Sequence, residues 1–161
     1  MKIGINHEQA PELRVPVWIG ADGGPVAPLR LNDLGDGMKI LFCFQDWCPG
    51  CHSRGFPTLR VLVDRLAGQG VGFAAIQTAF RSSAKKDAGD QTAKNQAMYR
   101  LNIPFGYDPV PDGADQPTVM EDYHTAGTPW FIVISPEGEV IYNDFRLDAG
   151  KFLSALDLPD M

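Results

Sequence analysis

Apolar residues in this chain fall into short blocks separated by turns rich in glycine and proline, and the spacing inside each block predicts its conformation. Residues 39–44 (Lys-Ile-Leu-Phe-Cys-Phe) are apolar on both alternating faces, as expected of a central parallel strand covered on both sides. Gly35 and Gly37 mark its start. Over residues 48–68, Phe56, Leu59, Val63 and Leu66 recur at steps of three and four, which predicts a helix with one buried face. Pro49 suits the first helical turn, where a missing N–H costs nothing. Pro57 lies deeper and predicts a kink. Gly70 ends the helix, and residues 71–78 form a second apolar run of strand length. Strand, helix and strand in this order predict a parallel pair with a right-handed crossover.

The flanks carry weaker patterns. Residues 13–19 read as extended and residues 21–25 supply turn chemistry, so a hairpin is expected ahead of the central strand. Residues 81–90 are polar and read as a solvated loop. Residues 90–101 predict a helix with Ala93, Ala97, Met98 and Leu101 inward, followed by an extended 103–107. A proline-rich loop over 108–117 leads to one or two helical turns at 119–124. Residues 130–135 and 140–145 predict a hairpin around Pro136 and Gly138. A short helix over 149–156 closes the pattern, with Phe152, Leu153 and Leu156 inward. With no repeat or linker, residues 1–161 read as a single domain.

Composition narrows the function classes. At 161 residues and 44% hydrophobic, the chain suits a globular domain and excludes a disordered or collagen-like one. Twenty acidic against 14 basic residues give a net charge of -6, so no nucleic-acid partner is expected. No stretch is long enough for a membrane span, and the first residues turn polar before a signal-peptide core, so a cytoplasmic location is expected. Cys43, Cys48 and Cys51 are too few and too close to staple a secreted fold, which points to redox or metal chemistry.

The informative run is Trp47-Cys48-Pro49-Gly50-Cys51, between the central strand and its helix. A two-residue spacer brings both sulfurs to one helical turn. Cys48 then sits at the helix N-terminus, where unpaired N–H groups favour the attacking thiolate. Cys51, one turn in, is expected to be less exposed and to act second, on the mixed disulfide.

This motif after a buried strand resembles the thioredoxin superfamily, and so does Gly127-Thr128-Pro129 ahead of a strand, which is similar to that family's cis-proline loop. The likeness spans residues 13 to 156, roughly the whole pattern. The hairpin and the extra helix and strand between residues 90 and 107 are similar to its TlpA/ResA and AhpC/TSA (redoxin) branch. The resemblance implies an α/β thioredoxin-like fold: a mixed central sheet, helices on both faces, an N-terminal hairpin and an inserted helix-strand unit. It implies a thiol-disulfide oxidoreductase with Cys48 as nucleophile and Cys51 as resolving thiol. Trp47, Pro49, Gly50, Thr128, Pro129 and Trp130 are then expected to bind substrate. No cofactor or metal is implied. The expected partners are a disulfide-containing protein or small molecule and a thiol or reductase electron donor, with the chain a monomer.

Three departures stand out. Thioredoxins keep a buried acid six positions before the first cysteine, and that position here is Phe42. The spacer Pro-Gly matches neither thioredoxin's Gly-Pro nor the Pro-His of strong oxidants. Pro57 comes one residue later than is common. The residues upstream of Cys48 also lack the Pro-x-x-x-Thr/Ser-x-x-Cys pattern of a peroxiredoxin. The alternative is a copper or zinc handling module using Cys48 and Cys51 with His124 as a third ligand; Cys43 and His52 are the other nearby candidates. Cys43-x4-Cys48-x2-Cys51 matches three ligands of a plant-type iron-sulfur site, but the chain has no fourth cysteine. A redox-inert binding domain on the same scaffold is the third reading. Cys43, between two phenylalanines, reads most simply as a small buried apolar residue.

Overall fold

The structure is a computed structural model that describes residue 4, residues 6–80 and residues 89–156. Most of the loop expected at 81–90 lies outside the described residues. Seven strands form one sheet: β1 (Val17–Ile19), β2 (Pro25–Val26), β3 (Lys39–Phe44), β4 (Gly72–Ala79), β5 (Phe105–Pro109), β6 (Trp130–Ile134) and β7 (Val140–Asp144), in the order β2-β1-β5-β4-β3-β6-β7. The helices are α1 (Phe56–Leu66), α2 (Thr92–Met98), α3 (Thr118–Tyr123) and α4 (Ala149–Ala155). The three central strands β3, β4 and β5 are parallel, and all other pairings are antiparallel, so the sheet is mixed as expected.

The apolar run of β3 is read by both faces of the sheet. Ile40, Phe42 and Phe44 enter one core with α1, while Leu41 and Cys43 enter the other with α3. The face that α1 buries is Phe56, Leu59, Leu62 and Leu66; Val63, expected inward, is only partly buried. The predicted hairpin forms between β1 and β2, and β1 also pairs with β5, which joins the hairpin to the sheet.

Two helices differ from expectation, each for an identifiable reason. Just ahead of Pro57, where a kink was expected, the hydrogen-bonding pattern of the helix changes. Residues Cys51–Gly55 form a π-helical turn, in which the Phe56 N–H donates to the Cys51 carbonyl five residues back. A widened turn tolerates the N–H that proline lacks. In α2 the buried residues are Thr92, Asn95 and Gln96, whereas Ala93 and Ala97 are exposed and Met98 is 56% exposed. Amide hydrogen bonds decide this: Gln96 Nε2 donates to the Gly20 and Ile103 carbonyls, both at 2.9 Å, and Asn95 Nδ2 to Asp46 and Gln91, both at 3.0 Å. Each buried amide group left unmade would cost more than burying an alanine gains.

Asp108, at the end of β5, is fully buried and caps α3 from outside that helix. It accepts from Thr118 Oγ1 at 2.8 Å and from the Val119 N–H at 2.9 Å. Burial raises its carboxyl, and these two bonds oppose the rise only in part.

Candidate active site

The register of the sheet brings the site together. Because β6 runs antiparallel to β3 with Trp130 opposite Cys43, the residues just before Trp130 lie beside those just after Phe44. Thr128 and Pro129, joined by a cis peptide bond, therefore face Gln45 and Cys48. Thr128 Oγ1 donates to Gln45 Oε1 at 3.0 Å, and the Thr128 carbonyl lies 3.7 Å from Cys48 Sγ. The helix begins at Pro49, directly after Cys48, and the Cys51 N–H donates to Cys48 Sγ at 3.2 Å.

The two thiols are not equivalent. Cys48 keeps 7% exposure and Cys51 none. Burial pushes the Cys51 thiol up, its hydrogen bond to Cys48 pushes it further, and contacts with the Gln45 backbone and the Thr128 side chain oppose this in part. Cys51 is therefore a buried thiol kept protonated behind Cys48, the one of the pair that keeps some exposure. Cys43 is buried on the other face of β3, where burial and then the Asp108 charge push its thiol up.

Phe42, at the position where an acid was absent from the sequence, is a packing residue whose ring meets Phe44, Phe56 and Phe131. Polar groups approach instead from α2. The His52 ring hydrogen-bonds Tyr99 Oη through Nδ1 and donates from Nε2 to the Asp46 carbonyl at 2.5 Å. The carbonyl only accepts, so Nε2 is the donor in that bond. Burial raises the Tyr99 hydroxyl, and the nearby Asp46 charge adds to it. Burial also works against ionisation of Asp46. Lys94 at 2.7 Å and Asn95 at 3.0 Å outweigh it and hold the carboxyl below its ordinary range.

The residues expected to bind substrate divide into two groups. Trp47 (37% exposed), Pro49, Gly50, Thr128 and Pro129 surround Cys48, with Pro129 itself buried. Trp130 does not belong with them. It is 1% exposed, alternates into the core on the far side of the sheet from Cys48, and its indole N–H donates to Asn143 Oδ1. His124 is an exposed residue in the left-handed conformation at the end of α3. Among the described residues no three His, Cys, Asp or Glu side chains gather in a way that would hold a metal ion, so His124 does not complete a site with the two cysteines.

Gly55, unremarked in the sequence, is what lets helix and loop meet. A Cβ there would lie 2.8 Å from Phe42 Cζ and 2.9 Å from Pro129 Cβ. Its only signal was a glycine inside a helical pattern, which suggests close packing.

The sequence pattern of the AhpC/TSA family matches residues 7–143, nearly the whole of the described sheet and its site. The chain belongs to the AhpC/TSA family. Its fold is that of the thioredoxin-like proteins in this family's wider group, as the solved structures show. A thioredoxin-like superfamily protein, SPOA0173, is 25% identical with a TM-score of 0.75, covering 92% of this chain and 93% of the other. A thiol-disulfide isomerase from Corynebacterium glutamicum is 21% identical with a TM-score of 0.74, over 92% and 94% of the two chains. The thioredoxin domain of a thiol-disulfide oxidoreductase from Bacteroides vulgatus is 17% identical with a TM-score of 0.63, over 94% and 97%. No curated protein matches the chain.

Proposed function

We propose that this member of the AhpC/TSA family is a thiol-disulfide oxidoreductase whose dithiol is Cys48-Pro49-Gly50-Cys51. One observation carries the reading: a Cys48 that keeps 7% exposure and whose sulfur receives the Cys51 N–H at 3.2 Å, with a fully buried second thiol behind it. Cys48 attacks one sulfur of a substrate disulfide; the substrate S–S bond breaks, a mixed disulfide forms, and the first substrate thiol leaves. Cys51 then attacks Cys48 Sγ. Its proton goes to the departing substrate thiolate, the Cys48–Cys51 disulfide forms, and two electrons have passed to the substrate. A thiol or reductase donor restores the dithiol. Thr128 and Pro129 offer backbone to an extended substrate beside Cys48, and Trp47 offers an apolar rim. A peroxidase reading has less support, since Gln45 and Leu41 stand where that pattern needs Thr or Ser and Pro.

The test is to trap the intermediate. Cys51→Ser should accumulate a substrate or small thiol on Cys48, visible as added mass lost on reduction, while Cys48→Ser should accumulate none. Equal trapping by both variants would overturn the roles.

A further inference from the structure

An open cavity of about 860 Å³ runs from the Thr128–Pro129 loop between α1 and the segment after β7. Two arginines line it, from opposite walls: Arg54 in the π-helical turn and Arg146 just past β7. Both are exposed, and neither has a hydrogen bond or ion pair among the described residues. Arg54 reaches back over the cysteine motif. A Cβ on Gly50 would lie 3.3 Å from Arg54 Nη2 and 3.5 Å from Pro129 Cδ, so the guanidinium stands beside the platform that faces Cys48. The one acid among the described lining residues, Asp144, already accepts from the Phe145 N–H at 2.7 Å. The described lining thus carries a net positive charge on a chain of net charge -6. The remaining walls are largely apolar, with Pro57, Phe131, Tyr142 and Phe145 among them.

We infer that this groove selects protein disulfides whose cysteine is flanked in sequence by carboxylates, which Arg54 and Arg146 bind while the substrate backbone lies along Thr128. The inference rests on the oxidoreductase reading and adds a substrate class to it. Guanidinium-carboxylate pairing in a partly apolar groove is stronger than on an open surface, and it is geometrically selective. In an extended peptide successive residues advance by about 3.3 Å, so carboxylates two positions before and after the reacting cysteine lie on the same face as its sulfur, one to each side of it.

The experiment uses two end-blocked pentapeptides, Glu-Ala-Cys-Ala-Glu and Gln-Ala-Cys-Ala-Gln, each activated as its 2-thiopyridyl disulfide. Attack by Cys48 on the peptide sulfur releases thiopyridone, which is followed as a second-order rate with reduced protein. The acidic peptide should react about tenfold faster, corresponding to about 1.4 kcal/mol. The preference should shrink as salt rises from about 0.05 to about 0.5 M, and it should fall below about twofold in Arg54→Gln/Arg146→Gln. Equal rates for the two peptides, or a preference that survives the double substitution, would overturn the groove assignment. An equal preference for the thiopyridyl disulfide of 3-mercaptopropionate over that of 2-mercaptoethanol would assign the groove to small carboxylates and overturn the peptide reading. No thiopyridone release from either peptide would defeat the oxidoreductase reading itself, and this inference with it.

Discussion

Cys51 and Cys43 are both buried and both have thiols pushed up by burial, yet they lie on opposite faces of one sheet with opposite prospects. The Cys51 face is packed with phenylalanines: Phe42, Phe44, Phe56 and Phe105 meet ring to ring, and this core opens at its rim through Cys48. The Cys43 face carries amphipathic rings whose polar ends are tied down. Trp18 Nε1 donates to the Val15 carbonyl at 2.9 Å, Tyr123 Oη to the Pro11 carbonyl at 2.5 Å, and Trp130 Nε1 to Asn143. Burial alone therefore does not mark a reactive cysteine. On the proposed function, what sets Cys51 apart is a neighbour that keeps some exposure, a backbone donor and a facing loop.

The largest effect that could break this comparison is on exchange. Cys48→Ala should reduce disulfide exchange to the level of a protein-free blank, because the attacking sulfur is gone. Cys43→Ala should leave the exchange rate within about twofold and lower stability modestly, by about 1 kcal/mol, through the small cavity it leaves. Thiopyridone release and thermal unfolding measure the two quantities. Loss of exchange in Cys43→Ala would show that the far face takes part in the chemistry.

A second, smaller effect concerns how the open face is assembled. Gly55→Ala places a methyl against Phe42 and Pro129, neither of which can swing away, so it should destabilise by about 1–3 kcal/mol. Exchange should slow as well, because the displaced loop is the one that faces Cys48. Gly68→Ala, where a Cβ meets nothing within 4 Å, is the control and should be neutral or stabilising by up to about 1 kcal/mol. Equal stability of the two variants would remove Gly55 from the site's architecture.

How much of this was legible beforehand follows from the range of each interaction. Local chemistry was: the apolar run of β3, the helix behind Cys51 and the thioredoxin-like order of elements all follow from neighbours in sequence. The facing of Thr128 and Pro129 toward Cys48 was also expected, but only through resemblance, since nothing local links positions 80 residues apart. The failures are long-range. Asn95 and Gln96 are buried because their partners Asp46, Gly20 and Ile103 come from elsewhere in the fold, which no helical periodicity records. Trp130 reads as a rim residue when only its nearness to Pro129 is known. Strand alternation sends it to the other side. The arginine-lined groove needed three separated segments and was invisible in the pattern.

The smallest effect is also the sharpest on the two thiols, and its sign follows from linkage. Burial raises the pKa of Cys43 and of Cys51 in the folded protein above the unfolded value of about 8.5. Below that pH both states hold these protons and stability is unaffected by them. Above it the unfolded chain releases protons that the folded chain keeps, so the unfolded state binds fewer and stability falls as pH rises. Each such thiol contributes a slope of at most about 1.4 kcal/mol per pH unit, and the window from about pH 8.5 to about pH 10 isolates them from most tyrosine ionisation. Urea unfolding of the reduced protein across this window should show stability falling with pH. Cys43→Ala and Cys51→Ala should each remove about one proton's share of that slope, despite lying on opposite faces, because desolvation acts on both. If Cys51→Ala leaves the slope unchanged while Cys43→Ala lowers it, then Cys51 ionises in the folded state about as it does in the unfolded chain. It would no longer be the protonated reserve behind Cys48, and the two faces would differ in their electrostatics as well as in their access to solvent.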